Sequence, residues 1–245
     1  MMQAMIFAAG LGTRLKPLTD STPKALVRVG GEPLLKHVVL KLKDSGFTRL
    51  IVNVHHFADQ IIDYLDANAN FGVDILISDE REGLLETGGG IKKARPFFDL
   101  SAPILIHNVD ILSNIDLQKF YEEGMRSDAT LLVSTRKTKR YFLFSQDDSH
   151  LLKGWTNIET HEVKSPYQHL EISDHDMYAF SGIHVFSPSL FTCMDDMPDK
   201  FGIVDFYLKY CKDRVIRGYV KDNLKLMDVG KLESLHDAEK FLNEI

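Results

Sequence analysis

Through the first half of the chain, short apolar runs alternate with amphipathic segments. Ala4 to Ala9 is a continuous apolar run stopped by Gly10, the pattern of a strand covered on both faces. Leu34, Leu35, Val38, Val39 and Leu42 then recur at helical spacing, with Gly46 placed as a stop. Arg49–Val54 reads as a second strand, Phe57–Leu65 as a second helix and Val73–Ile77 as a third strand. A helix over Gly88–Phe98, a strand over Ile104–His107, a helix over Asp116–Met125 and a strand over Thr130–Thr135 continue the rhythm. Strands alternating with helices of about 10 residues predict βαβ units and a mostly parallel sheet.

After Arg136 the pattern changes. Between Tyr141 and Lys164, short segments alternate with turn residues such as Asp147-Asp148-Ser149 and Asn157, which predicts a hairpin excursion. Tyr178–Phe186 returns to a core strand, followed by a helix over Ile203–Cys211 and strands over Val215–Val220 and Leu226–Val229. Leu232–Leu242 closes the chain as an amphipathic helix. The expectation is one α/β domain over 1–245, a Rossmann-like three-layer α/β/α arrangement with a small inserted β-rich lobe.

Composition narrows the function classes. The 245 residues carry 29 Lys and Arg against 35 Asp and Glu, a net charge of −6, with 44% apolar residues. That is an ordinary globular balance, and it argues against a protein that coats nucleic acid, which needs a cationic excess. Cys193 and Cys211 form no CxxC or Cys/His cluster. The N-terminus lacks a basic segment before its short apolar run, and no window approaches the ~20 apolar residues of a membrane span. A soluble cytoplasmic protein with no membrane partner is expected, as a monomer or small homo-oligomer. The charge is also uneven, since residues 1–30 hold Arg14, Lys16, Lys24 and Arg28 against Asp20 alone.

Those cations frame a glycine loop, Ala8-Ala9-Gly10-Leu11-Gly12-Thr13-Arg14-Leu15-Lys16-Pro17-Leu18-Thr19, continuing to Thr22-Pro23-Lys24-Ala25-Leu26. Two glycines directly after a strand let backbone N–H groups approach an anion. The adjacent Thr13 hydroxyl and Arg14 guanidinium add donors. A lone G-x-G fits a plain strand-to-loop turn equally well. The segment is neither a Walker A motif nor a G-x-G-x-x-G fingerprint opening into a helix. Asp110, in His107-Asn108-Val109-Asp110, and Asp228, in Met227-Asp228-Val229-Gly230, fall at the C-terminal ends of predicted strands. Ligands of open α/β sheets bind at that edge.

The loop as a whole resembles the signature of the sugar-1-phosphate nucleotidyltransferases, L-A-A-G-x-G-T-R-L-x-P-L-T followed by P-K-x-L, with Phe7 in place of the aliphatic residue. The resemblance implies that residues 8–14 wrap a nucleoside triphosphate. Arg14 would bind the phosphates that leave as pyrophosphate, and Lys24 would bind phosphate at the reacting centre. The run Glu86-Thr87-Gly88-Gly89-Gly90-Ile91, preceded by Glu80, resembles the N-acetylmuramate 1-phosphate uridylyltransferases of cell-wall recycling. There Glu86, Thr87 and Gly88 would read the base. A carboxylate can accept the N3–H of uracil but opposes the N3 acceptor of cytosine, and the glycines are expected to clear space for a flat base or sugar. A structural turn capped by Thr87 is the plainer alternative.

The family's N-G-D and D-V-G contexts imply Mg²⁺ on Asp110 and Asp228, with Asn108 beside the nucleotide. Val109 replaces the family glycine, which raises the question of space beside Asp110. In the 137–245 half, Lys164 of Glu162-Val163-Lys164-Ser165-Pro166 is matched loosely to a sugar-phosphate lysine, and Gly182 to a glycine under the sugar ring. Trp155 reads more readily as packing of the β-rich lobe than as a sugar platform. The implied reaction joins UTP and a sugar 1-phosphate into a UDP-sugar and pyrophosphate. CTP or another sugar- or polyol-phosphate is the alternative within that class. A non-catalytic nucleotide-sugar sensor is the alternative outside it.

Overall fold

The opening apolar run forms β1 (Gln3–Phe7), the centre of a parallel core, in a computed structural model that describes residues 1–245. It is followed by α1 (Leu34–Asp44), β2 (Arg49–Val54), α2 (Ala58–Ala67), β3 (Asp74–Asp79), α3 (Glu86–Ala94) and β4 (Ile104–Asn108). β1 pairs in parallel with β2 on one side and β4 on the other, and β3 extends the sheet beyond β2. Alternation along these strands sorts side chains between the two faces. Ala4 and Ile6 of β1, with Leu50, Val52 and Val54 of β2, join one buried cluster, while Met5 and Ile51 join another. The first cluster is covered by α1, α2, α4 (Leu117–Gly124) and α6 (Leu232–Leu242), the second by α3 and α5 (Ile203–Tyr210). The result is three layers, α/β/α.

Beyond β4 the pairing becomes antiparallel. Apart from a two-residue pair at Arg28–Val29 and Glu32–Pro33, the other strands are β5 (Ile111–Ser113), β6 (Ala129–Ser134), β7 (Arg140–Phe144), β8 (Leu152–Asn157), β9 (Glu162–Lys164), β10 (Asp176–Phe186), β11 (Ile216–Val220) and β12 (Leu226–Asp228). The C-terminal half of β10 lies between β4 and β6, while its N-terminal end pairs with β7. The hairpin excursion read from sequence is thus an extension of the same sheet, with β7 paired to the N-terminal end of β10, β8 to β7 and β9 to β8. Its register shifts between Phe180 and His184, around Gly182 at φ +73°, a left-handed conformation that suits glycine. The sheet is mixed for this reason, parallel across β1 to β4 and at the β6–β11 edge.

Two details differ at element ends. Helix α3 begins at Glu86 rather than Gly88, so the two residues read as loop form its first turn. β12 runs to Asp228 and pairs with β5, opposite Ile111. No helix is long and apolar enough to cross a membrane.

The second cluster encloses an unpaired histidine. His184 is fully buried beside the Phe180 and Tyr207 rings, with centroids at 5.5 and 5.6 Å, and neither ring nitrogen has a hydrogen-bond partner. Burial pushes its pKa down to about 3, and that of His107 down to about 4. Both therefore stay neutral in the fold but protonate in the unfolded chain near the ordinary value of about 6.5. Stability is full above about pH 6.5 and falls as the pH drops toward 4, where the unfolded chain binds the extra protons. His184→Leu is expected to keep neutral-pH stability within about 1 kcal/mol, since no hydrogen bond is lost. It should lower the pH-dependence of unfolding free energy between pH 6 and 4 by about one proton. An unchanged slope in acid-dependent denaturant titrations would contradict the buried neutral ring.

Candidate active site

At the carboxyl ends of the parallel strands, the chain leaves β1 with neighbours on both sides, the switch point where such sheets open a crevice. One hydrogen-bond relay shapes it. The Ala8 and Ala9 N–H groups donate to Asn53 Oδ1 at 2.7 and 3.3 Å. Asn53 Nδ2 donates to Glu80 Oε1 at 2.7 Å, and the Leu85 N–H donates to Glu80 Oε2 at 3.2 Å. Both Asn53 and Glu80 are buried, so the relay satisfies a carboxylate that would be costly alone. It ties the glycine loop, the end of β2 and the entry to α3 into one unit. Asn53 escaped the sequence reading, although an asparagine inside Leu50-Ile51-Val52-Asn53-Val54 is the kind of polar interruption that a buried strand must justify.

The glycine loop then passes through three short 3₁₀ turns before Val27. Gly12 is left-handed at φ +63°, and a Cβ there would lie 2.8 Å from Thr19 Cγ2. Its carbonyl accepts the Thr19 hydroxyl at 2.8 Å, which closes the loop. At Gly10 no atom lies within 4 Å of where a Cβ would project, so that side of the loop is open. A cavity of about 250 Å³ adjoins it, bounded by Ala8, Ala9, Gly10 and Lys24, by Asn108, Val109 and Asp110, and by Glu86 and Thr87. Eight residues named from sequence, from Ala8 to Asp110, meet at this cavity; Leu11, Gly12, Thr13, Arg14 and Gly88 do not line it.

The start of α3 corrects one expectation. Glycines 88–90 do not clear space for a base, because protein fills it. A Cβ at Gly88 would lie 2.3 Å from the Phe201 ring, at Gly89 2.1 Å from the Asp199 carbonyl, and at Gly90 2.9 Å from Glu80 Oε1. The Gly88 and Gly89 N–H groups donate to the Phe201 carbonyl at 2.9 and 3.1 Å, and Thr87 Oγ1 accepts the Ile203 N–H at 2.9 Å. The glycines therefore let α3 press against the 199–203 segment, which fixes the position of Glu86. Glu86 itself is left-handed, φ +63°, a conformation that costs a non-glycine residue about 1–2 kcal/mol, and its exposed side chain borders the cavity.

Asp110 and Asp228 are brought together by the β5–β12 pairing, with the Val229 N–H donating to the Asp110 carbonyl at 2.8 Å. Lys24 forms an ion pair with Asp110, both side chains 13% exposed. Asp228 Oδ1 is buried without a partner. Burial and the Asp110 charge raise the Asp228 carboxyl above its ordinary pKa, opposed by Lys24, Arg14 and Arg136. A Cβ at Gly230 would lie 2.6 Å from Asp228 Oδ1 and 2.7 Å from Arg14 Nη2, so this glycine admits both groups. Val109, buried in the first core cluster, borders the cavity beside Asp110, and its N–H donates to the Phe7 carbonyl at 3.2 Å.

The sugar-side expectations fare differently. Lys164 Nζ pairs with Asp205 at 3.3 Å and Glu162 at 3.8 Å, and sits 5.3 Å over the Trp155 ring. It lines neither the cavity nor the groove beside Asp228. Trp155 is half-buried against the second core cluster, as its lobe-packing reading anticipated. At Gly182 a Cβ would lie 2.6 Å from Asn108 Nδ2. The space it leaves thus holds the Asn108 carboxamide rather than a sugar ring. In place of Lys164, the turn between β6 and β7 presents Arg136, Lys137, Lys139 and Arg140 to a groove of about 640 Å³ that also contains Arg14 and Asp228. The sequence reading passed over this strap as the place where the pattern changes.

An α/β sheet with a cationic glycine loop and paired acids at its switch point defines a nucleotide-transfer fold, and comparison with known proteins agrees. The nucleotidyl transferase family model matches residues 3–245. The chain belongs to that family and is a nucleotidyltransferase of the sugar-1-phosphate group. It is 46% identical over 249 residues to the N-acetylmuramate alpha-1-phosphate uridylyltransferase of Caulobacter vibrioides, covering 98% of this chain and 97% of that protein. It is 33% identical over 190 residues to the Neisseria meningitidis enzyme so named, covering 78% and 77%. Among solved structures, HddC from Yersinia pseudotuberculosis superposes with a TM-score of 0.76 at 24% identity, covering 99% of this chain and 100% of that one. The inositol-1-phosphate CTP transferase of T. maritima gives 0.76 at 14%, covering 100% and 97%. At such identities the two structures establish the fold.

The relay makes a specific demand. Asn53→Ala removes the acceptor for two loop N–H groups and the side-chain donor to buried Glu80. It is expected to destabilise the fold by about 2–4 kcal/mol and to raise KM for the nucleotide about tenfold or more by loosening the loop. A Tm and nucleotide KM that both match wild type would refute the relay's role.

Proposed function

We propose that the chain transfers a uridylyl group from UTP to a sugar 1-phosphate, N-acetylmuramate 1-phosphate foremost, in the recycling of cell-wall sugars. The carrying observation is the 46% identity over nearly the full length of the Caulobacter vibrioides uridylyltransferase. Glu86 supports the choice of base, since a carboxylate held at the cavity edge suits the N3–H of uracil.

The chemistry requires little beyond placement and charge. A sugar phosphate is largely dianionic at pH 7, so its oxygen attacks the α-phosphorus without a general base. A new phosphorus–oxygen bond forms as the bond to the β-phosphate oxygen breaks, and pyrophosphate leaves with that electron pair; no proton moves. Lys24 stands at the Asp110 end of the cavity, suited to charge on the transferring phosphate, and Arg14 reaches beside Asp228 from the glycine loop, suited to the leaving phosphates. Both carboxylates suit a hard divalent cation, Asp228 with an unpartnered oxygen and Asp110 bearing only Lys24. Asp110 and Asp228 would hold Mg²⁺, whose charge would offset the repulsion between the two anionic substrates. The same four residues weigh against a non-catalytic sensor.

Pyrophosphate release across the four nucleoside triphosphates and a panel of sugar 1-phosphates, with Mg²⁺, tests this reading. UTP with N-acetylmuramate 1-phosphate is expected to be fastest, and Asp110→Asn to lower kcat about 100-fold or more. Preference for GTP or CTP would overturn the assignment of the base. Absence of turnover with every pair would overturn the reaction.

A further inference from the structure

The 136–140 strap presents more positive charge than one phosphate requires. Six of the eight residues lining the 640 Å³ groove are Lys or Arg, the others being Asp228 and Thr138, and none is apolar. Lys139 is neutralised by Glu159 at 2.7 Å. Arg136, Lys137 and Arg140 have no carboxylate partner, although ion pairs are common elsewhere on this acidic surface. A groove built for a neutral sugar would carry hydroxyl-binding carboxylates, amides or an aromatic platform. This one offers cations almost alone.

The strap's backbone is also held in place. Arg136 Nη2 donates to the Phe180 carbonyl at 3.0 Å, the Thr138 N–H donates to the Tyr141 hydroxyl at 2.9 Å, and the Lys139 carbonyl accepts the Ile158 N–H at 2.9 Å. Three anchors fix its course along the acceptor side of the sheet, two residues from Gly182 and opposite Asn157 in register. Cations on a pinned loop lose less freedom on binding than those on a mobile one. The same groove is lined by Arg14, which the mechanism above assigns to the leaving phosphates, and by Asp228. Arg136 lines the same groove as Asp228 and Arg14, and so belongs to the reacting end. Lys137 and Arg140 of the strap, with Lys231 lining the same groove, remain for a second anion.

We infer that the strap selects the acceptor: Arg136 takes its 1-phosphate, and Lys137 with Arg140 takes a carboxylate carried on the same sugar. This rests on the proposed transfer to N-acetylmuramate 1-phosphate and assigns the residues that recognise its acidic arm. Arg140, at the start of β7, can grip a carboxylate with two parallel N–H bonds, whereas a lysine offers a point charge.

Two acceptors that differ only in that arm provide the test. N-acetylmuramate 1-phosphate is N-acetylglucosamine 1-phosphate with a lactyl ether bearing one carboxylate. Wild type should favour the former. Lys137→Ala/Arg140→Ala should lower the ratio of kcat/KM between the two acceptors about 10- to 100-fold, the scale of one or two lost charge-assisted bonds. The loss should appear in the acceptor's KM, with KM for UTP unchanged. Arg140→Lys should fall between, because charge persists without the fork. Where the second acceptor turns over too slowly, its Ki against the first replaces kcat/KM. Turnover retained at saturating acceptor reports an intact fold. Equal loss with both acceptors would show that the strap binds only phosphate, and a raised KM for UTP, or for pyrophosphate in the reverse direction, would assign it to the leaving group. Either result overturns the inference. Wild-type activity on both acceptors without preference would overturn it as well, leaving the reaction standing, whereas no activity with UTP and either acceptor would refute the reaction itself.

Discussion

Two carboxylates held together at the end of a sheet are the constraint on which this site depends. Asp110 and Asp228 arrive from distant parts of the chain and meet because β5 pairs with β12. Burial and the neighbouring Asp110 charge raise the Asp228 carboxyl above its ordinary range, and Lys24 stands on Asp110 as an internal counter-charge. Such an arrangement is unfavourable for folding taken by itself, and it gains its use when further positive charge arrives. The chain's own cations gather around the pair: Lys24 and Arg14 come from the glycine loop and Arg136 from the strap.

The frame around that pair is mostly set by packing and hydrogen bonds. The Asn53–Glu80 relay joins the glycine loop to α3, and the glycines of α3 let that helix close on Phe201. Gly182 admits the Asn108 carboxamide under β10, and Gly230 admits Asp228 and Arg14 together. Close approach of protein atoms at these glycines accounts for their place in the sequence. Packing of this kind is what holds the two carboxylates and their cations in place.

Much of the fold was legible because its signals are local. The apolar run of β1, the helical spacing of Leu34 to Leu42 and the amphipathic Leu232–Leu242 each specify their own element. The glycine loop was legible as a continuous motif, and eight of its residues and their expected neighbours do meet at one cavity. Pairings between distant segments were not legible. Nothing near Lys164 reveals that Asp205 of α5 will claim it, and nothing near Gly88 reveals Phe201. The strap lay hidden for a different reason: Arg136 to Arg140 reads as a solvated charge run until β10 and the β8–β9 turn are seen to pin it beside Asp228.

The central claim is that Asp110 and Asp228 form one divalent-cation site completed by nucleotide. Mn²⁺ binding followed by electron paramagnetic resonance, with UTP present and in Asp228→Asn beside wild type, addresses it without relying on turnover. The account predicts one nucleotide-dependent site in the wild type, beyond that of UTP alone, and at least about tenfold weaker binding in the variant, as expected when a hard cation loses a charged oxygen ligand. Equal affinity in the two proteins would contradict it.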